Sequence, residues 1–244
     1  HYARVVHTEG KESVMLRGVD NNKDQTYFLC QLNQNQLNNS LFPIGELTKP
    51  EVRQIAEELD LPVAHKKDST GICFIGERDF REFLKNYIPA KSGKMVDIVS
   101  KKVIGEHQGI MYYTIGQRKG LGIGGNGEPW FVVGKDYDKN ILYIAQGDSN
   151  KWLLSHGALI TDVNWISATK PEGEYDCTAK FRYRQKDNDV SLHFIDETTL
   201  YVTFKKPIKA VTPGQAAVFY DGDVCLGGGT IDKVYKDGKE IDYL

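Results

Sequence analysis

The sequence predicts an α+β protein: a mixed α/β segment followed by two small β-barrel-like domains. Three observations predict it. One strongly signalled helix, Lys49 to Asp60, lies in an N-terminal stretch that also carries short strands. Helical periodicity disappears after Pro89. From there on, short apolar runs alternate with turn residues at the spacing of antiparallel strands.

Arg4-Val5-Val6 and Ser13 to Arg17 read as strands joined at Glu9-Gly10-Lys11. In the helix, Thr48 and Glu51 form a capping box, Pro50 sits in the first turn, and Val52, Ile55, Ala56 and Leu59 share one face. A second helix is expected from Asp79 to Ile88, stopped by Pro89. Lys91 to Lys94 reads as a linker. Two hairpins follow, Met95–Val99 with Lys102–Ile104, and Trp130–Lys135 with Ile141–Ala145 turned at Asp138-Lys139-Asn140. Six further strands are expected: Ala158–Ile166, Tyr175–Tyr183, Val190–Ile195, Leu200–Phe204, Gln215–Tyr220 and Val224–Val234. The expected domains are residues 1–88, 89–147 and 148–244.

With 244 residues, 40% hydrophobic and 26% charged, the chain has an ordinary globular composition. A net charge of −2 gives no global basic field, so any nucleic-acid contact must use local patches. No apolar run approaches the ~20 residues of a membrane span. The opening His1-Tyr2-Ala3-Arg4 has no leader pattern and no Met, which reads as part of a longer protein. Four cysteines are too few for a disulfide scaffold, which fits a reducing cytoplasm. Cys30, Cys177 and Cys225 read as buried small hydrophobes. There is no C-x-x-C and no zinc spacing, so neither a metal site nor a thiol oxidoreductase is expected.

Cys73 is different. In Lys66-Lys67-Asp68-Ser69-Thr70-Gly71-Ile72-Cys73-Phe74-Ile75-Gly76-Glu77-Arg78 it sits among cations and before a helix start, conditions that stabilise a thiolate. An inert cysteine packed beside Phe74 and Ile75 fits the same residues. Gly116 to Gly125 is glycine-rich and basic, able to present N–H groups, Arg118 and Lys119 to a phosphate, or simply a mobile loop. In a strand, Lys180, Arg182, Arg184 and Lys186 would share one face, a basic stripe with Tyr183 available for stacking, or a solvated strand face. His65 reads as a strand-end residue and His107 as a structural one holding a turn; neither is expected to be a general base.

Lys67 to Phe80 resembles the cysteine loop of the tRNA-specific 2-thiouridylases (MnmA family). So do His1-Tyr2-Ala3-Arg4, Asn22 to Leu29, Leu41-Phe42-Pro43-Ile44-Gly45, Gly105 to Gly109, Thr114 to Ile123, Arg182-Tyr183-Arg184-Gln185, Thr212-Pro213-Gly214-Gln215 and Cys225 to Gly229, in the family's order. The resemblance implies that residues 1–88 end a PP-loop ATP pyrophosphatase (HUP-like) domain. It implies that the intact protein uses ATP and Mg2+ to adenylate the C2 oxygen of the wobble uridine, and that a persulfide on Cys73 replaces that oxygen with sulfur. It implies tRNA contacts, through the anticodon arm, at His1, Lys23, Asp24, Gln25, Arg182, Tyr183, Arg184 and Gln215. A loop near the reaction centre is implied at Gln117, Arg118 and Lys119, as is an upstream persulfide donor such as a cysteine desulfurase or sulfur relay protein. The family's phosphate loop and partner cysteine are not in this sequence, so the chain alone is expected not to thiolate tRNA. The rival reading is a non-catalytic tRNA-binding module with an inert Cys73.

Overall fold

A computed structural model describes residues 1–66, 83, 86–88, 90–167 and 170–244. It is mostly β with few helices, and it divides into two compact units, 1–66 with 155–240 and 67–154 with 241–244.

The first unit is built on a closed ring of six strands: β7 (Leu154–Trp165), β8 (Glu174–Lys180), β9 (Asn188–Phe194), β10 (Leu200–Lys209), β11 (Ala216–Asp221) and β12 (Val224–Lys236). Each neighbours the next in the order β12-β11-β8-β9-β10-β7, and β12 pairs back onto β7, so the barrel has no free edge there. The N-terminal hairpin, β1 (Ala3–Val6) with β2 (Val14–Arg17), adds to the same sheet through Leu16 opposite Val224. One core joins them: Met15, Tyr27, Cys30 and Leu37 pack with Ile166, Val218, Tyr220 and Cys225. Side-chain amides complete the join. Asn164 donates to the carbonyls of Cys30 (2.9 Å) and Leu32 (3.0 Å), and Gln34 donates to those of Ser13 (2.9 Å) and Ile166 (2.8 Å).

α1 (Gln34–Asn38) is capped by Asn33, whose side chain accepts the Gln36 N–H at 2.9 Å. α2 (Lys49–Glu58) starts as its sequence requires: the Glu51 carboxylate accepts the Thr48 N–H at 2.6 Å and hydroxyl at 2.7 Å. Its expected apolar face is present, yet none of its residues is buried. The second expected helix falls largely outside the described residues. His65 is in a turn rather than at a strand end.

In the second unit, β3 (Gly93–Asp97) pairs antiparallel with β4 (Val103–His107) and parallel with β6 (Ile141–Gln146), which pairs with β5 (Trp130–Asp136). Gly93 and Lys94, expected in a linker, belong to β3. The C-terminal tail returns to this sheet: the Tyr243 carbonyl accepts the Lys135 N–H at 2.7 Å, and the Tyr243 hydroxyl donates to the Trp152 carbonyl at 3.1 Å. Among the described residues no helix is long and apolar enough to cross a membrane.

Candidate nucleic-acid interface

The segment from Gly18 to Phe28 is folded around Asp24. Its buried carboxylate accepts the Gly18 N–H (3.1 Å), the Thr26 N–H (3.3 Å) and the Thr26 hydroxyl (2.9 Å). Gln25 clamps the chain start: it donates its N–H to the Tyr2 carbonyl and accepts the Tyr2 N–H on Oε1, both at 2.9 Å. His1, exposed, is therefore held beside Gln25. Lys23 lines a cleft with Asp20, Asn22, Thr48, Lys49 and Pro50.

The basic stretch 180–186 is not a strand face. β8 ends at Lys180, and residues 181–185 turn. The Gln185 side chain accepts the Phe181 N–H at 2.8 Å, and the Gln185 N–H reaches the Arg182 carbonyl at 3.0 Å. A side-chain amide has taken the backbone group that a strand partner would use, while Phe181 is buried against Phe204 (4.8 Å between centroids). The stripe expected from alternation is therefore replaced by a turn that gives each cation its own direction. Arg182 lies half-buried, donating to the Ala210 carbonyl (3.1 Å) and the Thr212 hydroxyl (3.2 Å). Burial lowers its guanidinium below the ordinary value, against the opposing influence of Tyr27. The Tyr183 hydroxyl donates to the Lys23 carbonyl at 3.4 Å, and burial, then the Asp24 charge, raise that phenol. Arg184 is exposed. Asn21, Asn22, Asp24, Lys180, Tyr183, Arg184 and Gln185 line one cleft of about 290 Å³.

Arg17 anchors this turn from the N-terminal hairpin. It grips both oxygens of Asp187 (3.1 and 3.0 Å), donates to the Gly222 carbonyl (3.2 Å) and stacks 3.7 Å over the Tyr220 ring. A third turn, 212–215, is shaped by Gly214 at φ +80 and leaves Gln215 exposed. It meets the others through Arg182 and through the Tyr27 hydroxyl, which donates to the Ala216 carbonyl at 2.9 Å. Of the expected residues, Asp24, Tyr183 and Arg184 share one cleft of the first unit, Tyr183 is bonded to Lys23, and Arg182 is bonded to the turn that carries Gln215, while His1 adjoins the Tyr2–Gln25 clamp.

Sequence reasoning missed two members of it. Phe28 was hidden inside the apolar run Tyr27-Phe28-Leu29; the 3-10 turn Thr26–Phe28 buries Tyr27 and turns Phe28 out. Arg17 looked like the end of an ordinary strand.

The remaining expected residues lie elsewhere. In the second unit, Gln117 accepts the Thr114 N–H (3.0 Å) and donates to the Lys119 carbonyl (2.9 Å); Arg118 and Lys119 are exposed, and Arg118 lines a cleft of about 470 Å³ with the glycine-rich loop and Trp130. Cys73 lies outside the described residues. Cys30 and Cys225 are buried and Cys177 half-buried. Desolvation pushes Cys30 up to about 11, Cys177 up to about 12 and Cys225 upward as well, so all three stay thiols at neutral pH. His107 is fully buried and structural: its ring lies 3.1 Å from the Asn140 carbonyl and accepts the Gly109 N–H at 3.2 Å. Among the described residues no cluster of His, Cys, Asp or Glu could hold a metal ion.

Three family models match the chain in succession: the tRNA methyl transferase HUP domain over residues 1–77, the tRNA methyl transferase PRC-barrel domain over 81–146 and the aminomethyltransferase beta-barrel domain over 155–231. The tRNA-specific 2-thiouridylases MnmA of Bacillus cytotoxicus, Bacillus cereus and Bacillus thuringiensis are each 59% identical to it over 244 residues, covering 100% of this chain and 65% of their own. The chain thus spans 65% of the length of these relatives. With this identity along its whole length and the three models in order, the chain belongs to the MnmA family.

Proposed function

We propose that this chain supplies the tRNA-gripping part and the sulfur-bearing cysteine of an enzyme that forms 2-thiouridine in tRNA. What carries this reading is the linkage of Lys23, Arg182, Tyr183, Arg184 and Gln215. Tyr183 and Arg184 share one cleft, Tyr183 bonds the Lys23 carbonyl, and Arg182 bonds Thr212 in the turn that exposes Gln215, giving a cation for phosphate, a half-buried phenol and an exposed amide able to read a base edge. A chain of net charge −2 needs such a local patch to hold RNA. The anticodon arm is the proposed partner, because its unpaired loop offers base edges that a duplex hides. His1 and Gln25 hold the rim, and Asp24 acts through the fold rather than at the RNA. Gln117, Arg118 and Lys119 are proposed to serve the reaction centre.

Cys73 is the proposed persulfide carrier. The three described cysteines are poor rivals, since desolvation keeps each of them a thiol. A persulfide donor upstream and a cytoplasmic setting belong to the same proposal. ATP and Mg2+ are proposed for the longer relatives; among the described residues no cluster of His, Cys, Asp or Glu would hold the metal. The chain alone is proposed to bind tRNA without thiolating it.

One experiment tests both halves. Binding of an anticodon-arm hairpin is measured against salt for the wild-type chain, Arg184→Gln and Cys73→Ser, and each is then treated with a persulfide donor. Arg184→Gln is expected to lower the salt slope by about one phosphate contact, and Cys73→Ser to keep RNA affinity while losing the loaded sulfur. An unchanged slope for Arg184→Gln removes the interface. Equal sulfur loading of wild type and Cys73→Ser leaves a non-catalytic RNA-binding module.

A further inference from the structure

Phe28 is 57% exposed, although its two neighbours in space are aromatic and partly or wholly buried. A single exposed phenylalanine is ordinary on a protein surface; what marks this one is the pair of rings packed against it. This one is held in place. Its N–H donates to the Gln25 carbonyl at 3.0 Å within the 3-10 turn. Tyr27 meets it edge-on at 5.5 Å and is itself pinned by the hydrogen bond to the Ala216 carbonyl. Tyr183 packs against it at 4.5 Å, tilted by 44°, and is pinned to the Lys23 carbonyl. The result is a rigid aromatic step with one ring open to solvent.

Its surroundings select the occupant. Through Tyr183 the step adjoins the cleft lined by Lys180 and Arg184, and the Lys23 backbone that Tyr183 holds. Lys180 already lies 3.9 Å from both the Asp24 and Asp187 carboxylates, so Arg184 is the exposed cation of this cleft, and a purely apolar partner would desolvate it at a cost. A nucleotide satisfies both, with its base on the ring and its phosphate toward Arg184.

We infer that Phe28 is a stacking platform for an unpaired RNA base, continuous with the basic turn at Tyr183 and Arg184. This rests on the proposed tRNA reading and names a contact within it that neither the basic motifs nor the polar residues above supply. A base inside a duplex already has both faces covered, so the platform discriminates loop from stem.

The test uses the full chain and two RNAs of equal length, a hairpin with an unpaired loop carrying 2-aminopurine and a fully paired duplex. Phe28→Leu keeps an apolar side chain and removes the π face; an unchanged unfolding midpoint certifies the variant, and Phe28→Tyr, which restores the ring, serves as rescue. The expected result is about tenfold weaker hairpin binding by Phe28→Leu, unchanged duplex binding, loss of the 2-aminopurine fluorescence change, and recovery of all three in Phe28→Tyr. Hairpin binding by Phe28→Leu equal to wild type overturns the platform while leaving the RNA interface standing. Equal losses on hairpin and duplex also overturn it, as does a concentration-dependent self-association that Phe28→Leu abolishes. Wild-type binding to neither RNA removes the tRNA reading itself and the platform with it.

Discussion

Asp24 and Gln25 act differently from Lys23, though the three are adjacent. Asp24 and Gln25 bond the chain's own backbone, at Gly18, Thr26 and Tyr2, and so shape the surface from which Lys23 lines its cleft. A sequence motif registers all three alike, because shaping a site and touching its ligand both tie a residue to its position. His107 shows the same distinction more sharply. Only a neutral ring can accept the Gly109 N–H on Nδ1 while donating from Nε2 to the Asn140 carbonyl. Burial lowers its pKa, against a smaller opposing effect of the Asn140 hydrogen bond. A depressed folded pKa means that the folded state binds a proton less readily than the unfolded chain, whose imidazole titrates near ~6.5. The stability it contributes is therefore complete above that value and is lost as pH falls below it. Unfolding of the second unit is expected to occur at a lower temperature at about pH 5.5 than at about pH 7.5. In His107→Gln, which has no titrating ring, that difference is expected to shrink. Melting curves of both proteins at the two pH values check this, and identical pH differences would show that His107 does not titrate with unfolding.

Among the elements, β12 repays attention because its glycine run was legible only as a motif. A Cβ on Gly228 would stand 2.5 Å from the Ala217 carbonyl oxygen and 3.2 Å from the Cys30 sulfur; one on Gly229 would stand 2.6 Å from the Thr161 carbonyl oxygen. The run lets β11, β7 and the Cys30 segment close on β12 from several sides. Gly228→Ala is expected to cost about 1–3 kcal/mol, read as a shift in the denaturant midpoint without a change in slope. A midpoint equal to wild type would mean that the strands can part at no cost. Much else was readable at this scale. The capping box at Thr48 and Glu51 and the turn at Asn140 declare themselves locally, as do most strands of the barrel. The 180–186 segment did not, because alternation describes any extended stretch and cannot register that Gln185 will turn back to cap Phe181. Phe28 was hidden for the converse reason: an apolar run does not say which of its members the turn will leave outside.

At the scale of the whole molecule, the N-terminal segment and the β-barrel share one core. No local pattern announces this, since Cys30 and Cys225 are far apart in sequence yet belong to the same buried cluster. Arg17 fixes the sharing in polar terms by gripping Asp187 across the same boundary. Removing either side would uncover Val218, Tyr220 and Cys225 together with Met15, Tyr27 and Leu37. The two sequence-distant parts should therefore unfold together, and the two thiols report it from opposite sides. Both are buried and shifted upward, so alkylation in the native state is expected to be slow at each. As denaturant rises, both should become reactive at one midpoint, with the modified peptides separated by mass. Cys177, only half-buried and on β8, provides the internal comparison. If Cys30 becomes reactive well before Cys225, the N-terminal segment is a docked flap on an independently stable barrel. The basic turn would then be placed by the barrel alone, and Arg17→Met would leave RNA affinity intact. Coincident midpoints make the shared core the support on which Lys23 and Arg184 are held in one place.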